Sequence, residues 1–328
     1  MSPRKRKTTT TPTPAPAPAP EPTPTPEPTP VPAPAPATKY LIKHGYDLGS
    51  PQLLTNCKAK VDALPFDGVV VTLPNISKAI LSGAPISKET IAAALSVFPT
   101  MSKVTRNFII VYATALDSAT GSSAAWQVAA QNMANLAGAI RDSGKQIVGV
   151  VYDSERYFGG TDRGTDIVRA QANGAAVGSA FRNVWPAGHL VTFYGPWVSD
   201  SRTPQHTGGA PYNDVSWANP LMGPFALGLT ATDEAAEVYT LRSLSEFGAF
   251  ASWIDYLATA NPGFMVFDQP WGGRNMDAPT WTSTVRNALA ASTRYTFCYT
   301  ERHDWWGHGW PTTPVPQEWI DATGAARA

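Results

Sequence analysis

Short apolar runs recur along the chain from residue 40, separated by longer stretches in which apolar residues return every three or four positions. The runs occupy 40–46, 68–73, 108–113, 147–152, 190–194, 236–241, 264–267 and 295–299. Runs of this length read as buried strands, and the spacing between them reads as helix. The clearest helix is 124–143, where Trp126, Ala130, Met133, Leu136 and Ile140 fall on one face and Gly144 follows the end. Segments 165–184, 244–260 and 280–291 behave alike, and 63–67 reads as a helix end turning into the next strand. Eight strands alternating with helices over about 270 residues predict an α/β fold, a (β/α)8 TIM barrel. The competing architecture is a doubly wound open sheet. No glycine-rich phosphate loop follows the first strand, which weakens a nucleotide-binding version of it. The sixth run is the weakest strand candidate, and 195–219 reads as a long loop over the barrel.

In a barrel of this kind, side chains at the carboxyl ends of strands line the site. The fourth run ends in Asp153 and Glu155, two apart, so both share a face with Gly149 and Val151. The eighth ends in Tyr299-Thr300-Glu301, followed by Trp305 and Trp306. Cys298 has the opposite parity to Glu301 and is expected to face away from the site. Paired carboxylates with aromatic residues nearby suggest a site that handles sugars.

These motifs resemble TIM-barrel proteins of the glycoside-hydrolase type, particularly a group of mostly uncharacterised bacterial proteins. Gly45-Tyr46-Asp47 matches their Gly-x-Asp turn after the first strand, and Pro65-Phe66-Asp67-Gly68 their second strand. Tyr152-Asp153-Ser154-Glu155-Arg156-Tyr157 resembles the fourth-strand motif, with Trp126 and Asn132 on the preceding helix. Tyr299-Thr300-Glu301 with Trp305-Trp306 resembles the last strand. The likeness spans most of 40–310 and implies a glycan-active scaffold. One departure stands out: the family's sixth strand usually ends in an acidic segment, and 238–243 has none. If that acid belongs to the mechanism, the chain binds sugars without cleaving them.

Glycoside hydrolysis needs one protonated and one ionised carboxyl flanking the scissile bond. Glu155 is the candidate acid, its proton affinity raised by neighbouring Asp153. Glu301 is the candidate nucleophile or base, because strands four and eight face each other across a barrel. Asp153 and Glu155 could instead cap a helix or pair with Arg156 and Arg163, and Glu301 could pair with Arg302 or Arg274. Asp47 and Asp268, also at strand ends, are expected to act as turn formers or orienting partners rather than proton donors, with substrate contact as the other reading. Tyr157, Tyr194, Trp197, Trp271, Trp305 and Trp306 are candidate sugar-binding aromatics, with Trp310 beside them, in loops expected to touch water. His44, His303 and His308 show no metal-ligand spacing, so neither metal nor cofactor is expected. A Gly-x-Ser-x-Gly elbow and a Cys–His pair are both missing, which disfavours acyl-transfer chemistry.

Composition changes this picture little beyond the amino terminus. Net charge is zero, which gives no general reason to expect nucleic acid or an anionic membrane as partner. No apolar stretch is long enough to span a bilayer. From Pro12 to Pro36 every even position is proline, so 1–38 predicts a disordered, extended arm, followed by the barrel at 39–311 and a tail at 312–328. Arg4-Lys5-Arg6-Lys7 lacks the apolar core of a secretion signal. The expected setting is therefore cytoplasmic, or on a phage particle or other cell-associated assembly reached through the arm. The basic cluster is either a solubilising terminus or a tether to an anionic surface or nucleic acid. Cys57 and Cys298 predict two reduced, buried thiols. Three functions remain distinct: a glycosidase, a non-catalytic glycan-binding or structural module, and a nucleic-acid binder through the basic terminus.

Overall fold

Among the described residues, seven parallel strands form one sheet in the order β5-β4-β3-β2-β1-β7-β6. They are β1 (Tyr40–Gly45), β2 (Gly68–Val71), β3 (Asn107–Tyr112), β4 (Ile147–Asp153), β5 (His189–Thr192), β6 (Phe264–Phe267) and β7 (Tyr295–Thr300). The computed structural model describes residues 38–47, 49–112, 123–153, 167–193, 263–268 and 276–328. Each of the seven coincides with an expected run. The sixth run at 236–241, the helix at 244–260 and the amino-terminal arm lie outside the described residues.

The sheet is curled into a barrel, and the side chains show it. Phe193, just past β5, and Phe297, on β7, are separated by four strands in the sheet order, yet their rings are 5.4 Å apart. At the other end of the same strands, Arg294 Nη1 lies 3.0 Å from His189 Nδ1. An open sheet could not make these contacts. Strand alternation then divides the apolar side chains in two. Ile42, Val70, Phe108, Ile110, Val151, Val191, Met265, Phe267, Tyr295 and Phe297 fill the barrel interior. Leu41, Val69, Val71, Ile109, Val111, Val150, Leu190, Val266 and Cys298 face the helical shell. Both faces are dry, which is why the strands read as continuous apolar runs.

The helices are started by local chemistry. Ser50 accepts the Leu53 N–H at 3.2 Å to open α1 (Pro51–Asn56), which runs on into α2 (Lys58–Ala63). Ser87 caps α3 (Lys88–Ser96), which was not singled out in the sequence. The long α4 (Ser123–Ser143) and α5 (Ile167–Val184) match their expected positions within two residues. Asp277 caps α6 (Ala278–Ala291) through the Thr280 N–H at 2.8 Å. Residues set apart as a tail contain α7 (Gln317–Ala325), whose buried Trp319 packs on Trp281 at 5.2 Å.

Two family-like motifs turn out to be fastenings of this frame. Asp67 accepts the Leu41 N–H at 2.7 Å at the amino-terminal end of β1, and Gly68 leaves room for the Arg106 carbonyl, which a Cβ would approach to 1.8 Å. Asn132, almost fully buried, accepts the Ile86 N–H and donates to the Ile80 and Ala84 carbonyls. It ties the 80–86 connection to α4. Motif residues far from the strand carboxyl ends therefore serve stability.

Candidate functional site

The carboxyl end of β1 is joined to that of β7 through a glycine. Gly45 has φ of 148°, and a Cβ there would lie 2.0 Å from the Thr300 carbonyl oxygen. Only glycine allows this approach. The Tyr46 N–H then donates to the same Thr300 oxygen at 2.9 Å. Asp47, one residue on, is fully buried. It receives the Lys43 ammonium on one oxygen and the Trp305 N–H, at 3.0 Å, on the other. Burial pushes the Asp47 carboxyl up, while Lys43 and the Trp305 N–H oppose that push.

A second buried carboxyl braces β7 from the other side. Asp268, just beyond β6, accepts the Glu301 N–H at 3.0 Å and the Arg302 N–H at 3.3 Å. Burial pushes its pKa up to about 6, against the pull of these two N–H groups and, more weakly, of Lys43 and Arg302. Asp47 and Asp268 thus act as orienting partners, one of the two roles expected of them. Both have no exposed surface, so the other reading, direct contact with substrate, is corrected. Their parity explains it: each continues the shell-facing side of its strand, with Lys43 and Val266.

Glu301 continues the interior-facing side, after Tyr295, Phe297 and Tyr299. Its side chain is half-buried. The Tyr299 hydroxyl donates to Oε1 at 3.0 Å, and the Tyr46 phenol is the second group that favours the ionised carboxyl. Burial raises the Glu301 pKa, and the two phenols partly offset it. The alternative ion pair with Arg302 does not form: that guanidinium donates to the Met276 carbonyl at 3.1 Å and lies over Trp319. His44, inward on β1, sits between Phe193 at 4.8 Å and Tyr299 at 5.1 Å. Burial, with help from the Lys43 charge, presses its pKa down to about 3, so the imidazole is neutral at physiological pH. Its Nδ1 has no hydrogen-bond partner.

On the facing arc of the barrel, Asp153 ends β4 on the interior side and is nearly buried. It is in register with Tyr112 of β3. Burial, then the Asp153 charge, pushes the Tyr112 hydroxyl above its ordinary value, and a hydrogen bond with Thr72 opposes this. The carboxyl ends of β4 and β7 therefore each offer an inward carboxyl with phenols beside it. Glu155, Tyr157, Tyr194, Trp197 and Trp271 lie outside the described residues.

Trp305 and Trp306 require a correction. Expected in water-facing loops as sugar-binding rings, they are 0% and 2% exposed. Trp305 packs edge-on against Phe66 at 5.3 Å, and Trp306 lies where a Cβ on Gly49 would come within 2.1 Å of its ring. The Asp47–Trp305 bond draws this segment under the β1–α1 connection, into the helical shell. Rings without open faces cannot stack on a sugar. Cys298 faces the shell as its parity predicted, and both thiols are free, but Cys57 is only half-buried. Among the described residues no three His, Cys, Asp or Glu side chains gather as a metal site, and no helix is long and apolar enough to cross a membrane.

The sequence reading passed over Tyr46, His44 and Tyr112 as site residues. The signal for the first two was available, since 42, 44 and 46 share a parity and the glycine of the turn brings the third against β7. Tyr112 follows the same alternation from Phe108 and Ile110.

No protein-family model and no curated protein sequence matches this chain. Solved structures do. GH5_18 from Streptomyces cattleya in complex with GlcNAc is 14% identical, with a TM-score of 0.53, covering 89% of this chain and 79% of that one. A GH5_18 variant from the same organism, in complex with Manb1-4GlcNAc, is 13% identical, with a TM-score of 0.54 and coverages of 88% and 81%. The exo-beta-1,4-mannosidase Op5Man5 from Opitutaceae bacterium strain TAV5 is 10% identical, with a TM-score of 0.53 and coverages of 88% and 59%. The fold is a TIM barrel. At such identities the likeness extends to the fold alone.

Proposed function

We propose that this barrel is a glycoside hydrolase acting on a poly- or oligosaccharide, with Glu301 and Glu155 as its carboxyl pair. The observation that carries the reading is Glu301 itself: an inward, half-buried carboxyl at a strand end, held by the Tyr299 hydroxyl, in a barrel shaped like those of glycosidases. Hydroxyl donors stabilise the ionised form of the carboxyl they hold, which suits Glu301 to act as nucleophile or water-activating base. Glu155, two positions after Asp153 in the sequence, would donate the proton to the leaving oxygen. The distance between the two carboxyls decides whether configuration is retained or inverted.

The test is a glycan-array screen of the full-length chain, followed by assay of the bound glycans for released reducing ends. Release that disappears in both Glu301→Gln and Glu155→Gln supports the pair. Release that survives Glu301→Gln removes that residue from the mechanism. Binding without release would make the barrel a recognition module, the second function read from the sequence.

A further inference from the structure

We propose that the amino-terminal face of the barrel, at the opposite end from the candidate active site, is a docking surface for a nucleic-acid strand whose phosphates lie against Lys39, Arg106, Arg286, Arg294 and Arg327. The inference is independent of the glycosidase reading and uses none of its residues.

The zero net charge of the chain conceals a separation of charge. Among the described residues, Asp47, Asp153, Asp268 and Glu301 stand at the carboxyl ends of the strands. At the other end, the turns into β2, β3, β4, β5 and β7 are 64–67, 97–106, 144–146, 185–188 and 292–294, and all five are described. They carry Lys103, Arg106, Lys145 and Arg294 against a single acid, Asp67. Lys39 stands at the entry to β1, and α6 and the residues after α7 bring Arg286 and Arg327 to it.

Four of the five cations have no carboxylate partner. Lys39 Nζ donates to the Ala290 carbonyl at 2.5 Å, and Arg286 Nη2 to the Ala325 carbonyl at 2.8 Å. Arg106 Nη2 donates to the Tyr40 hydroxyl at 3.1 Å, and Arg294 Nη1 meets the His189 ring at 3.0 Å. Arg327 alone is paired, with Asp67 at 2.7 Å, and it also donates to the Pro65 carbonyl. On the helices, by contrast, Lys88 and Arg141 share Asp142. Carbonyl and hydroxyl bonds fix where a cation sits without neutralising it, and they leave further N–H donors for a ligand.

The cations form one tract. Lys39, Arg286, Arg327 and Ala328 line a cavity of about 400 Å³ over Leu289 and Ala290. Tyr40, next to Lys39, carries the Arg106 guanidinium 4.7 Å from its ring centre and donates its N–H to the Arg294 carbonyl at 2.7 Å. Arg106 and Arg294 therefore continue the tract from the cavity. Burial, then Arg294, Arg182 and Arg106, presses the His189 pKa down to about 4, as positive charge converging on one ring should.

Geometry and residue type select the partner. Four of the five cations are arginines, whose planar fork meets phosphate oxygens two at a time. The cavity admits a phosphate group from a bendable strand, while the neighbouring phosphates lie over Arg106 and Arg294. A flat bilayer surface would meet the rim of the cavity and leave its cations unused.

The test uses the full-length chain and a fluorescent oligothymidylate, titrated by anisotropy over a series of salt concentrations. Wild type is expected to bind. Lys39→Gln/Arg286→Gln should bind about fivefold or more weakly and flatten the slope of log K against log salt by about 1.4, because each phosphate contact to a single strand contributes about 0.7. Arg106→Gln/Arg294→Gln should do the same, and oligoadenylate should respond alike, because backbone contacts carry no sequence information. Both pairs are also measured with Arg4, Lys5, Arg6 and Lys7 replaced by Ala, which separates the face from the arm. Circular dichroism and the thermal midpoint check each fold; if the Arg106/Arg294 pair misfolds, the Lys39/Arg286 pair, at more exposed positions, decides. An unbound oligonucleotide, or a slope unchanged in the folded variants, overturns the proposal. Binding that vanishes when 4–7 are replaced also overturns it and assigns the strand to the arm. Equal or tighter binding of phosphatidylserine vesicles or polygalacturonate overturns the choice of a nucleic acid.

Discussion

Among the described residues four carboxyls stand at strand ends of the barrel, and they divide into two pairs that do opposite things. Asp47 and Asp268 point into the helical shell, have no exposed surface, and spend their oxygens on backbone N–H groups and a buried lysine. Asp153 and Glu301 point toward the barrel interior, and Glu301 keeps part of its side chain open. Residue type does not distinguish them; parity along the strand does. The shell-facing pair builds a rigid seat, and the interior-facing residue Glu301 sits in it. Preorganised groups of this kind are what an active site needs.

The comparison can be broken most decisively at Glu301. Glu301→Gln is expected to lower turnover by about 10⁴-fold on any glycan the wild type cleaves, with little change in thermal midpoint, because a half-buried amide of the same shape replaces the acid. A large drop in stability with intact turnover would place Glu301 among the braces instead.

The braces should behave in reverse. Asp47→Ala leaves the Lys43 ammonium buried without its carboxylate, and a loss of about 3–5 kcal/mol in urea unfolding is expected. Gly45→Ala forces a Cβ against the Thr300 carbonyl and should lower stability by about 2–3 kcal/mol while splaying β1 from β7. Amide exchange at Tyr46, whose N–H is bonded to Thr300, would report the splaying directly. If Gly45→Ala folds with native stability, the close approach is not what the glycine is for.

Asp268 gives the smallest and most specific effect. Its folded pKa, about 6, lies above the ordinary carboxyl value, so the folded state holds this proton more tightly. The associated stability is present in full below about pH 4 and is lost as pH rises through 6, on the order of 2–3 kcal/mol. Asp268→Asn carries no titrating group and lacks this decline. The wild-type minus variant difference, measured by denaturant unfolding between pH 4 and 7, should therefore fall as pH rises. A difference that rises over that window would show that the N–H bonds to Glu301 and Arg302 outweigh burial.

Seven of the expected strands were legible because parallel strands covered on both faces are continuous apolar runs, and the alternation with helices named the architecture. Helix α4 was legible from its apolar period and its closing glycine. By contrast, α3 and α7 are short and weakly patterned, and their stability comes from packing on the barrel. The inward direction of Asp153 and Glu301 and the outward one of Cys298 followed from parity alone.

Sequence by itself thus determined the strands, their order along the chain, and which side chains share a face, because backbone geometry fixes the alternation. Tertiary structure alone decided which of those side chains meet water. Trp305 and Trp306 look like loop aromatics until the bond from Asp47 pulls them under β1. Tyr46 looks like a turn residue until Gly45 lets β1 close on β7 and sets its ring edge-on to Tyr299. Exposure and partnership depend on contacts between segments more than 250 residues apart in the chain, as Asp47 and Trp305 are, and no local pattern encodes them.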